Sequence, residues 1–438
     1  MLGHTMAIMS SSGAGYANPA NFLPPNGLTT TILGQLLFSS RLAVDTFLCI
    51  SGFLVVHVLS RKVAVRDGES LVFAYMASLP KLVITRVARI LPLYALCVGF
   101  YTQIAPHMGS GPFWYQWLAL LKPCHDYGWT NFLFINNFVP WDLPITDTCF
   151  YHSWYLAVDM QLFIFSALLV LLYQKNRKHG RRATVALILL SIAVSIYLAY
   201  VRQWSINTFD GAAVARFEVE AYAKPHIRAH AYLSGAFVAM VLFEEGPRSD
   251  WKLGHHFAIV VALFGMVFVT FVTAWGAYER RACQYQEWPG IDNCGSMWSA
   301  SQTLWYTVLS RVVWSTGVCT IMYLSIGRRA SGNWVAAVLS WKCWVPLSQL
   351  SFAVYLIHPV VIFVWQLGDR EKEIFRLETF AMNWISVSVV SYAVALGAVL
   401  VVELPFAAMW KLWTTKRSNE DMGAPLPVVY GSTELSAA

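Results

Sequence analysis

The sequence predicts an all-α fold: a polytopic transmembrane helical bundle of about nine complete spans plus the end of a truncated first helix. Three observations predict it. Hydrophobic residues make up 57% of the 438 positions and charged residues only 13%, against roughly 45–50% and 25% in soluble domains. The apolar residues gather into runs long enough to cross a bilayer, and mean hydropathy is +0.51. Basic residues then alternate between successive loops. The same composition excludes other classes. An aromatic content of 15% is too high for a disordered chain. A net charge of +7 scattered between apolar runs makes no nucleic-acid interface.

Taken in order, residues 1–9 are apolar apart from His4 and Thr5 and are too short to span. They are expected to be the last turns of a first transmembrane helix whose beginning lies upstream. Residues 10–31, rich in Ser, Gly, Asn and Pro, read as a loop. A helix crosses the bilayer core with about 20 apolar residues. Nine runs approach or meet that length: 42–59, 87–105, 154–173, 183–201, 229–243, 256–275, 303–326, 345–366 and 380–404. Run 229–243 is the shortest. The transmembrane domain therefore covers 10–410, with 411–438 as a cytosolic tail.

Orientation follows from the basic residues. One set of alternating loops holds 19 of the 31 Lys and Arg, including Arg61, Lys81, Arg177, Arg182, Arg328 and Lys411, so that set is cytosolic. Cysteines check this independently. Cys124 and Cys149 share one loop of the opposite set, and Cys283 and Cys294 share another. Paired cysteines on the lumenal or extracellular side fit two disulfides; four free thiols are the alternative.

Charged groups inside a membrane cost at least about 2.5 kcal/mol each and are functional candidates by default. Asp45 and Asp159 fall near the outer ends of their runs, and Glu403 near the inner end of the last. Arg86 and Arg89 flank the inner end of the second run, and His358 precedes Pro359. Interfacial anchoring and helix pairing explain the same placements. A neutral imidazole, with an unperturbed pKa of about 6.5, suits proton removal from a hydroxyl. His4 would stand above Asp45 for that task. Trp129, Phe132, Phe134, Phe138 and Trp141 form an interfacial belt or a lipid-chain entrance. No phosphate-binding loop, zinc motif or nucleophile elbow occurs.

Several stretches together resemble the acyltransferase-3 family of integral membrane acyltransferases, in its nose-resistant-to-fluoxetine branch. They include GHTM at 3–6, VDTFLCISGFLV at 44–55, RVARILPLY at 86–94, CFYHSWYLAVDMQLF at 149–163, AKPHIRAHAYLSG at 223–235 and PLSQLSFAVYLIHPVVI at 346–362. The resemblance implies transfer of an acyl group from acyl-CoA or a lipid donor to a hydroxyl acceptor, with no bound cofactor and acyl-CoA as co-substrate. It implies His4 as base, Asp45 as its orienter and His358 as the second candidate. It makes Arg86 and Arg89 binding positions for the donor phosphates, and Tyr155, Asp159 and Gln161 binding positions for the acceptor. Lys224 and Arg228 match the family pattern as binding positions, whereas His226 and Phe352 depart from it. The family's first helix carries an Arg eleven positions before the His, and this chain begins after that point. A lipid or small-molecule transporter and a catalytically inactive family member are the alternatives. The expected setting is a multi-pass protein of the endoplasmic reticulum or plasma membrane.

Overall fold

The computed structural model describes residues 1–11, 15–22, 27–28, 31–62, 65, 68–141, 143–144, 147–204, 216–246, 253–279, 299–327 and 334–421. Among them there is no strand. The principal helices are α1 (Leu2–Ser11), α2 (Ala43–Lys62), α3 (Leu71–Gly99), α4 (Tyr115–Tyr127), α5 (Trp154–Lys175), α6 (Arg177–Arg202), α7 (Pro225–Glu245), α8 (Leu253–Glu279), α9 (Ala300–Gly327), α10 (Ser351–Leu367), α11 (Leu377–Ala398) and α12 (Leu404–Asp421). Eight of the nine apolar runs each fall on a continuous helical stretch. Seven helical stretches among the described residues are long and apolar enough to cross a membrane, and shorter apolar helices occupy Gly254–Thr270 and Ser351–Leu367. The protein is a multi-pass helical membrane protein.

Local chemistry sets several helix ends. Ser70 caps α3 by accepting from the Phe73 amide at 3.1 Å, and Asn176 caps α6 through the His179 amide at 3.0 Å. Each side chain satisfies a donor that the first helical turn leaves open. Pro225 starts α7, where its missing N–H costs nothing. Helix α3 starts well before the apolar run at 87. Its first half tolerates Pro80 and Lys81, and the whole element passes without a break through Arg86 and Arg89. The run 345–366 is instead divided at Leu350, between a short helix Trp344–Gln349 and α10. The last helix continues past the expected boundary at 410 as far as Asp421.

The bundle is organised around α5 and α7, buried over 67% and 61% of their spanning windows, against 22% for α3 and α6. Close approach of α2 and α7 depends on two glycines. A Cβ at Gly52 would lie 1.9 Å from the Tyr232 carbonyl oxygen, and one at Gly235 would lie 1.9 Å from the Cys49 carbonyl oxygen. Apolar tails solvate helices as well as they pack each other, so small residues that admit backbone contact drive this pairing. The main core includes Leu48, Leu93, Tyr94, Trp117, Val158, Tyr232 and Leu356, all fully buried. Helix α1 packs against α10 and α11. Its Met6 and Met9 join Tyr16, Phe22, Phe375 and Phe380 in a second cluster, and Gln366 donates to the Met9 carbonyl at 2.9 Å.

Candidate active site

Two histidines from distant parts of the chain meet inside the bundle. His4 Nδ1 on α1 lies 2.7 Å from His358 Nε2 on α10, with the rings nearly parallel at 4.9 Å. The other nitrogen of His358, Nδ1, is 2.8 Å from the Val354 carbonyl oxygen one helical turn earlier. A carbonyl only accepts, so in the neutral pair His358 carries its proton on Nδ1 and presents a lone pair at Nε2. His4 then donates from Nδ1, and the lone pair of His4 Nε2 remains open. Among the described residues nothing hydrogen-bonds that nitrogen. The tautomers of the neutral pair thus follow from the network, which leaves one oriented lone pair open.

A third imidazole backs this pair. His152, at the start of α5, is buried with its ring 6.3 Å from that of His358. Its Nε2 lies 3.3 Å from the Leu356 carbonyl. The Tyr355 hydroxyl donates to the His152 carbonyl, which ties the start of α5 to α10. The Tyr94 hydroxyl lies 2.8 Å from both Asn131 Oδ1 and Ser153 Oγ, with one proton to donate between them, and Asn136 donates to Ser153 at 3.0 Å. These contacts anchor the outer loop after α4 to the bundle.

Asp45 stands apart from His4. Both of its oxygens accept from Arg228 Nη1, at 2.8 and 2.9 Å, and the pair is almost fully buried, at 0% and 1% exposure. Arg228 Nε donates to the Tyr222 carbonyl at 2.9 Å, and its guanidinium lies 5.0 Å from the Tyr222 ring and 5.4 Å from the Trp154 ring. The sequence reading made Asp45 the orienter of His4. Tertiary packing gives that place to His358 and commits Asp45 to joining α2 with α7.

Residues 1–403 match the acyltransferase domain of the acyltransferase-3 family. The chain belongs to the acyltransferase-3 family. It is also similar to nose resistant to fluoxetine protein 6 of Caenorhabditis elegans, 25% identical over 407 residues, a match covering 87% of this chain and 45% of that protein. The chain therefore spans about half the length of this curated relative. No solved structure matches it.

Within this acyltransferase-3 chain, the other expected site residues are distributed as follows. Arg86 pairs with Asp159, which also accepts from Ser51, and its guanidinium lies 4.3 Å from the Phe163 ring. The sequence put these two residues at opposite ends of their helices. Because α3 extends back to Leu71, Arg86 lies within the helix and meets Asp159 inside the bundle. Arg89 is exposed on α3. Tyr155 packs its ring against Phe47 at 6.3 Å and Tyr355 at 5.8 Å. Gln161 donates to the Phe134 carbonyl and to Asn137, both at 2.8 Å. Lys224 donates to the Asn137 carbonyl at 2.7 Å and lies 4.5 Å from the Trp141 ring; burial lowers the pKa of its ammonium. Gln161 and Lys224 thus fasten the aromatic loop, in which Trp129 and Trp141 stay more than half exposed while Phe134 is buried.

Cys124 and Cys149 form a disulfide. The expected pair Cys283 and Cys294 lies outside the described residues. Among the described residues no group of three or more His, Cys, Asp or Glu side chains could hold a metal ion. Sequence reasoning gave His152 no role. Its only signal was its position inside the family-matching run CFYHSWY.

Proposed function

We propose that the protein is a membrane-bound O-acyltransferase in which His4 is the general base and His358 holds it in the working tautomer. The observation that carries this reading is the open lone pair of His4 Nε2, fixed by a second imidazole in a chain of the acyltransferase-3 family. The acceptor hydroxyl gives its proton to His4 Nε2 as its oxygen bonds to the acyl carbonyl carbon. The bond from that carbon to the donor's leaving atom then breaks; with acyl-CoA the coenzyme A thiolate departs and takes up a proton. A positioned histidine of this kind contributes about a hundredfold or more to such a step. Acyl-CoA is the expected donor, arriving from the cytosolic face. Arg89, exposed on α3 near Glu403, can meet its phosphates, and Arg86 would have to leave Asp159 to do so.

The test is release of free coenzyme A from acyl-CoA by the purified full chain. His4→Ala should cut release about a hundredfold with the melting curve unchanged. Equal release from a folded His4→Ala protein would remove His4 from the mechanism.

A further inference from the structure

Arg311 lies inside α9 and is only 4% exposed. Among the described residues it makes no hydrogen bond and no ion pair. Its guanidinium stands 4.8 Å from the Phe217 ring, a contact that offsets only part of the cost of leaving water. A guanidinium does not escape that cost by losing its proton. A buried charge in a membrane bundle therefore calls for a counter-charge.

The neighbouring side chains do not supply one. Asp45, Arg228 and Arg41 all act on Arg311 electrostatically. Asp45 already turns both oxygens to Arg228 Nη1, so two buried guanidiniums share one carboxylate. Glu218 faces Arg41. Glu220 accepts from the Trp204 indole at 2.7 Å and lies 3.8 Å from Arg202 Nε. The group formed by Asp45, Arg228 and Arg311 is left with one positive charge in excess.

A small cavity meets that charge. Arg311 and Thr307 of α9, His230 of α7 and Ser195 of α6 line it, with Trp204 and Phe217 as aromatic walls. The Thr307 hydroxyl is buried without a hydrogen-bond partner. The Ser195 hydroxyl is spent on the Ser191 carbonyl at 2.7 Å. His230 Nδ1 lies 3.0 Å from the Ile227 carbonyl, so in the neutral ring Nε2 is an acceptor and offers an anion nothing. The donors that can turn to an anion are the guanidinium of Arg311 and the hydroxyl of Thr307. The cavity volume is about 10 Å³, room for a single solvent-sized particle. That size excludes phosphate, sulfate and carboxylate groups. We propose that this cavity binds one monatomic anion of the chloride class as the counter-ion of Arg311. The site is separate from the histidine pair and does not depend on the acyl-transfer reading.

The experiment uses the full chain purified in neutral detergent with sodium gluconate as the only salt. Equilibrium dialysis against radioactive chloride should saturate at about one ion per chain. Bromide should compete for it and sulfate should not. Exchange of gluconate for either halide at constant ionic strength should raise the melting temperature along the same saturable curve, as a ligand of the folded state does. Arg311→Met should abolish both the binding and the rise. Thr307→Val keeps the charge and the shape and should weaken chloride binding several-fold. Absence of saturable chloride binding in the parent chain would overturn the proposal, and so would sulfate competing as well as bromide. A folded Arg311→Met protein that binds chloride like the parent would remove Arg311 from the site. Where Arg311→Met does not fold, Thr307→Val decides, and undiminished affinity in that variant refutes the assignment.

Discussion

The His4–His358 pair and the Asp45–Arg228 pair are both polar and both built from helices far apart in sequence, yet they differ in what they leave open. Arg228 places Nη1 against both Asp45 oxygens and Nε against a carbonyl. The carboxylate is taken up by its counter-charge, and the geometry locks α2 to α7 where Gly52 and Gly235 already bring the backbones together. With both histidines neutral, their hydrogen bonds leave one lone pair over. Formal charge inside a membrane is therefore a poor guide to the proposed base. The strongest electrostatic contact is a fastening, and the weaker one is suited to chemistry.

This contrast can be broken by substitution, and the largest effect should come from the fastening. Asp45→Ala strands a buried guanidinium and should cost about 3–5 kcal/mol of stability, read as a lower melting temperature of the solubilised chain. Replacing both partners, as Asp45→Leu with Arg228→Met, should recover most of the loss because no charge is stranded. A stable Asp45→Ala protein would show the pair to be dispensable. His4→Ala should do the reverse, lowering turnover by about a hundredfold or more with melting unchanged. His358 sharpens the point, because it acts through His4. His358→Gln still presents an acceptor to His4 Nδ1 and should retain more turnover than His358→Leu; equal turnover in the two variants would leave His358 without an orienting role.

Smaller effects should follow in the outer loops. Cys124→Ser releases a closure of 25 residues and should cost roughly 3 kcal/mol in the chain-entropy model. Reductant should lower the melting temperature of the parent chain by more than it lowers that of the variant. Lys224→Met should cost about 1 kcal/mol through its lost bond to the Asn137 carbonyl. Its readout is faster proteolysis of the loop around Trp141, and cleavage at the parent rate would show that Lys224 does not hold the loop.

The helices were legible because a long apolar run needs no partner to declare itself. The places where the reading slipped have particular causes. Arg86 looked interfacial because the apolar run starts at 87, but Leu71–Thr85 is helical too, despite Pro80 and Lys81. The partners of Asp159 were not legible because Ser51 and Arg86 are separated from it by 108 and 73 residues. The partners of Gln161 and Lys224 were not legible because they include the carbonyls of Phe134 and Asn137, which carry no side-chain signature.

By itself the sequence determined the all-α membrane bundle, its apolar helices and the family. Each depends on composition along a short window or on motifs in order, and a hydrocarbon solvent forces such windows to satisfy their backbone bonds as helices. Only the tertiary structure decided which polar groups meet. His4 and His358 are 354 residues apart and Asp45 and Arg228 are 183 apart, so no local spacing relates them. Their pairing is set by how α1 packs on α10 and how closely two glycines let α2 approach α7. That packing separates a charge pair that fastens from a lone pair free to take a proton.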